Sequence, residues 1–166
     1  LSSFRLYLEL NPKGPKRDEI KYQIGHIFYE NEDYQQAADL FREIAMDTKA
    51  PAHLREKSSE LCLDSSVLLK NEPQIEVDAL LFAQAFKART AYFLGLWRKS
   101  ILNQSAKIIN NQASSKEQLE AQVAKLDKIA YASWPAVEKK TLIKNKVAIG
   151  LRLKNLDIVA KATEQY

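Results

Sequence analysis

Two histidines, His26 and His53, and one cysteine, Cys62, are the residues best suited to acid–base or nucleophilic chemistry here, and their spacing gathers them into no catalytic group. His26 sits between Tyr22 and Tyr29 at helical steps, so a groove or packing role is expected rather than that of a base or ligand. His53 falls in the first turn of an expected helix, facing solvent. Cys62, between Leu61 and Leu63, reads as a small buried hydrophobe, and a lone cysteine excludes an intramolecular disulfide. Glu30, Glu32 and Asp33 cluster, but at a solvated helix end. Metal-ligand spacing, a phosphate-cradling glycine loop and a nucleophile elbow are absent from the sequence. The expectation is a chain without catalytic residues, metal or cofactor, and not an enzyme. What remains is recognition: Tyr22, His26 and Tyr29 offer flat amphipathic surface of the kind that anchors a peptide.

The elements that must position these residues lie between 18 and 51. Ile24 and Phe28, then Leu40, Phe41 and Ile44, recur at three- and four-residue steps, giving two short helices one apolar stripe each. Gly25 and Ala37 are small enough to let the two helices approach closely, while Phe28 and Phe41 fill the space beside them. Asp33 is suited to cap the second helix, with Gln36 completing a capping box. Pro51 closes the segment and can open the next helix, where its missing N–H costs nothing.

Ile24-Gly25, Phe28-Tyr29, Asp33-Tyr34, Ala37 and Phe41 together resemble the tetratricopeptide repeat family. The resemblance covers one clear repeat. Lys21 stands where the family usually has a large aromatic, Glu32 replaces the usual turn glycine, and Ile44 rather than alanine ends the small-residue series. It implies an all-α fold, an antiparallel helix-pair α-solenoid with a concave groove lined mainly by first-helix residues. Carried onto this chain, the groove residues are Glu19, Tyr22, Gln23, His26, Tyr29 and Glu30. The family's peptide-carboxylate clamp uses basic and amide side chains where Tyr22 and His26 stand, so the resemblance does not extend to that mode. The chain is also similar to repeats of bacterial cell-envelope assembly proteins, including outer-membrane lipoproteins, which implies a periplasmic or envelope location, with the cytoplasm as the alternative.

One domain is expected over 1–166: the end of a preceding repeat at 1–11, the clear repeat at 18–51, and degenerate helical repeats over 52–166. The chain opens on Leu1 rather than methionine, and a fragment or processed product of a longer array is expected. Only four glycines and five prolines are present, and the prolines, at 12, 15, 51, 73 and 135, fall where helix boundaries belong. Helices are expected near 1–11, 17–31, 34–48, 52–71, 75–94, 97–111, 115–132, 136–153 and 156–165. A capping box is expected at Ser114 and Glu117. Leu94-Gly95, and Ile149-Gly150 with Leu153, Asn155, Leu156-Asp157 and Ala162, echo the repeat code. The densest apolar stretch, 79–97, carries Lys87 and Arg89 at its centre, which argues for a buried central helix and against a membrane span.

Charge divides the chain. Residues 1–78 hold 10 Lys+Arg and 15 Asp+Glu, a net of −5, and residues 79–166 hold 15 and 6, a net of +9. Lys87, Arg89, Arg98, Lys99, Lys107 and Lys116 occur in a stretch without one acidic residue, a candidate basic patch. Nucleic acid is disfavoured as its partner, because Phe82, Phe86, Phe93 and Trp97 are spaced for a core first. The leading expectation is a non-catalytic scaffold that binds a protein or peptide in its groove. The alternatives are a structural or self-associating segment of a larger helical assembly, with acidic and basic ends pairing, and a helical accessory domain of an envelope enzyme.

Overall fold

The computed structural model describes residues 2–164, and among them the regular structure is helical throughout. In order come α1 (Ser2–Leu10), α2 (Arg17–Glu30), α3 (Tyr34–Met46), α4 (Ala52–Leu68), α5 (Glu72–Ala85), a 3-10 turn (Lys87–Arg89), α6 (Thr90–Asn110), α7 (Lys116–Asp127), α8 (Ala136–Arg152) and α9 (Leu156–Thr163). The chain divides within α6 into two compact units, one running to Trp97 and one starting at Arg98. The single-domain expectation over 1–166 draws no boundary there.

Three connections use one turn. Glu32, Lys70 and Lys154 all take positive φ, near 60°, 54° and 53°. The next residue closes the turn with its N–H on a carbonyl five positions back: Asp33 on Phe28 (2.9 Å), Asn71 on Ser66 (3.0 Å) and Asn155 on Gly150 (2.9 Å). That satisfies carbonyls the helix end leaves open, in the Schellman arrangement. The same residue then caps the following helix, its side-chain oxygen accepting from Gln36, Gln74 or Ile158 N–H. A left-handed conformation costs a non-glycine residue roughly 1–2 kcal/mol, so the absent turn glycine is compensated by these bonds.

In the first unit α2 packs on α3, α3 on α4, α4 on α5, and α2 also touches α4. Gly25 is required where α2 meets α3: a Cβ there would lie 2.7 Å from the Phe41 ring. Aligned on the shared turn, α4 and α5 place Leu63 and Ala79 where α2 and α3 place Gly25 and Phe41. The large and the small residue exchange helices at the aligned positions. Phe41, Leu63 and Ala79 are buried in one cluster with Phe28, Phe82 and Phe93, and Gly25 is buried against Phe41. Arg42 of α3 grips Asp78 of α5 through two bonds of 2.8 and 2.6 Å. Asp78 is 1% exposed, and Cys62 of α4 lies 3.6 Å from the same carboxylate.

The expected helix over 75–94 does not form. The chain breaks at Phe86 (φ −116°, ψ 79°) and re-enters helix at Thr90, so Gly95 lies inside α6. The cause is aromatic burial. A continuous helix would carry Phe93 about 16 Å along the axis from Phe82, yet their rings are 5.7 Å apart. The Thr90 hydroxyl sits 2.9 Å from the Ala83 carbonyl and 3.0 Å from that of Lys87, supporting the break. No helix among the described residues is long and apolar enough to cross a membrane.

The second unit buries Ile101, Leu126, Leu142 and Ile149 and adds polar contacts between its helices. Gln122 of α7 donates to Ser105 of α6 at 2.8 Å, and the almost fully buried Lys146 of α8 meets Asp127 of α7 at 2.6 Å. Arg152 clamps the end of α6, its guanidinium 2.7 to 3.0 Å from the carbonyls of Ile108, Ile109 and Asn111. The capping box of α7 is Ser115 with Gln118, one residue beyond the expected pair, because Ser114 turns its hydroxyl to the Ile108 carbonyl. Gly150 packs against Ile158 and Val159 of α9. On the shared turn it aligns with Phe28 rather than with Gly25, so the echo is one helical turn out of register.

Candidate partner-binding surface

Tyr22, His26 and Tyr29 form a half-buried seam along α2. Tyr22 meets His26 edge-on with ring centres 4.6 Å apart, and both meet Phe41, at 5.7 and 5.5 Å. Tyr22 also packs on the small cluster of Ile44, Ala50 and Leu54, and burial pushes its phenol pKa up. Tyr29 donates its hydroxyl to the Asp64 carboxylate on α4 and sets its ring 5.5 Å from that of Tyr34. The bond to Asp64, then burial and the nearby negative charge, push the Tyr29 phenol up to about 12. Glu19, Gln23 and Glu30 are exposed beside the seam. The six groove residues therefore divide equally: three aromatic side chains tie α2 to its neighbours, and three polar ones face outward.

The position expected to hold a large aromatic is buried even so. Lys21 is 9% exposed and its ammonium bonds Glu43 of α3, where Arg17 also converges at 3.5 Å. An ion pair takes the place of the expected aromatic, and it engages both cations of α2 with Glu43.

The basic residues are largely occupied where they are arginines. In the first unit Arg89 bridges Glu56 at 3.1 Å and Glu60 at 2.5 Å and lies 4.8 Å over the Tyr92 ring, with Lys87 exposed nearby in sequence. In the second unit Arg98 bonds Glu138, while Lys99 and Lys107 are exposed. Sequence reading missed the α4 contribution. Glu56, Glu60 and Asp64 stand at four-residue steps, a spacing visible in the chain, but only the fold reveals that Tyr29 reaches Asp64 and Arg89 reaches Glu56 and Glu60.

The residues considered for chemistry are dispersed. His53 is exposed at the start of α4. Cys62 is fully buried, and burial followed by the Asp78 charge pushes its thiol well above the ordinary range, which keeps it a protonated and weak nucleophile. Among the described residues no group of three or more His, Cys, Asp or Glu side chains converges as a metal site. No family model, curated protein or solved structure matches this chain.

Proposed function

We propose that the chain is a tetratricopeptide-type scaffold segment whose α2 and α4 together present a concave face to a peptide or protein partner. The observation that carries this reading is that α2 packs on both α3 and α4. In an α-solenoid the first helices of successive pairs lie side by side, and the contact of α2 with α4 and the bond from Tyr29 to Asp64 support that reading. The recurring turn and the Gly25–Phe41 and Leu63–Ala79 exchange support treating α2–α3 and α4–α5 as two copies of one unit. The exposed residues of the face, Glu19, Gln23 and Glu30, are the ones free to discriminate partners.

A photo-crosslinking residue in place of Gln23, on that face, tests the reading against one in place of Gln35, exposed on α3. Crosslinking of a discrete partner from position 23 and not from 35 is expected. The reverse pattern would move the site to the α3 side.

A second reading, a self-associating structural segment, draws on exposed apolar side chains. Leu6 and Leu10 of α1 are 54% and 70% exposed, and Val137, Leu151 and Leu156 of the second unit are 60–78% exposed. Sedimentation equilibrium separates the two, since a scaffold of the first kind remains monomeric without its partner.

A further inference from the structure

Resting on the reading of α2 and α4 as a binding face, we infer that this face takes a basic segment of another protein, with lysine or arginine side chains interleaved among aliphatic ones. The α4 row of Glu56, Glu60 and Asp64 receives a single guanidinium, Arg89, which reaches the first two. Asp64 is bonded by the neutral hydroxyl of Tyr29, which satisfies one oxygen and leaves the charge uncompensated. From α2 come the exposed Glu19 and Glu30, while Arg17 and Lys21 turn to Glu43. Lys57 is the exposed cation α4 adds, while Arg55, its other cation, turns to the Ala45 carbonyl of α3 and the Phe86 ring. Five carboxylates thus face two cations, a net of −3, and the whole first unit carries 12 Lys+Arg against 15 Asp+Glu, also −3.

Aromatic and apolar surface accompanies the charge. Tyr92, 45% exposed, lies under Arg89, and Tyr29 bonds Asp64 at the other end of the row. Burial, then the charges of Glu60 and Asp64, push the Tyr92 phenol up, which places it in the field of that row. Such rings accept the aliphatic stem of a lysine or the face of a guanidinium. Val67 and Leu68, 47% and 45% exposed, follow Asp64 at the C-terminal end of α4. That end carries the negative pole of the helix and again favours a cation.

The test is fluorescence anisotropy of the whole chain with a labelled peptide of alternating lysine and leucine, beside its glutamate-for-lysine counterpart. The lysine peptide is expected to bind and the glutamate peptide not to. Asp64→Asn with Glu60→Gln should weaken binding about tenfold. Glu19→Gln with Glu30→Gln, which breaks no bond in the fold, should weaken it less but measurably. Glu120→Gln with Asp157→Asn makes the same charge change in the second unit and should leave affinity unaltered. Equal weakening by all three pairs would reduce the effect to general attraction and overturn the inference. Binding of the glutamate peptide that is lost on Tyr29→Phe would keep the face and overturn its preference for cations. Binding of both peptides, indifferent to every α2 and α4 substitution, would overturn the face itself. Sedimentation of the chain alone completes the set: a dimer abolished by Asp64→Asn would assign the face to a second copy and overturn a foreign partner.

Discussion

The two units fill their interiors by different means. All six phenylalanines lie in the first, where Phe28, Phe41, Phe82 and Phe93 are buried together. The second has none and joins its helices with Gln122–Ser105, Lys146–Asp127 and the Arg152 clamp. Rings bury 150–250 Å² each and tolerate little change of shape. Polar links contribute about 1 kcal/mol apiece and depend on geometry. The comparison teaches that the first unit is built around aromatic volume, whereas the second sets polar links beside buried aliphatic side chains, Ile101, Leu126, Leu142 and Ile149 among them. Each unit also holds one tryptophan, Trp97 and Trp134, so replacing either by phenylalanine leaves a fluorescence reporter for the other.

The largest effect should come from Phe41→Ala. It empties a fully buried site against which Gly25 cannot grow without a shift, and should cost about 3–5 kcal/mol. Urea unfolding read from Trp97 should move to lower denaturant while the Trp134 transition stays in place. Parallel movement of both would erase the distinction between the units.

Asp78→Ala comes next, at about 3 kcal/mol, because it removes the buried carboxylate that both Arg42 bonds meet. Arg42 is partly exposed, which keeps the figure below that of a fully buried pair. The contrasting change is Lys146→Met in the second unit. Asp127 is well exposed and returns to water, so stability should change by less than about 1 kcal/mol, measured from Trp134.

Arg152→Ala should cost about 1–2 kcal/mol and act on Trp134 alone, since it removes the cation that holds the last carbonyls of α6. The smallest effect has the opposite sign. Glu32→Gly relieves a left-handed residue and should stabilise the first unit by about 0.5–1 kcal/mol. Loss of stability on that change would mean that the Glu32 side chain contributes more than its backbone costs.

Much of this was legible in the residues. Asp33 as a cap, Gly25 as a small residue where the two helices meet, the prolines at boundaries and the all-helical character follow from local chemistry. The break at Phe86 was not, because nothing local forbids a helix through Phe82–Phe93. The stop comes from rings meeting across the fold. Likewise Tyr22 and His26 were readable as aromatic surface, but their contact with Phe41 makes them partly structural. Replacing Tyr22 by alanine would therefore disturb packing as well as any partner. The α4 row stayed hidden because carboxylates at four-residue steps are ordinary on a solvated helix until Tyr29 and Arg89 are seen to reach them.

The account depends most on α2 and α4 lying side by side, and the bond from Tyr29 to Asp64 is the direct report of that. A double-mutant cycle of Tyr29→Phe and Asp64→Asn, from urea midpoints at pH 7, is predicted to show coupling of about 1 kcal/mol. The phenol is raised in the folded state, so its contribution should be complete below pH 10 and disappear as the pH rises through about 12, a limb absent from Tyr29→Phe. Additive effects with no alkaline limb would contradict the adjacency of α2 and α4, and with it the binding face.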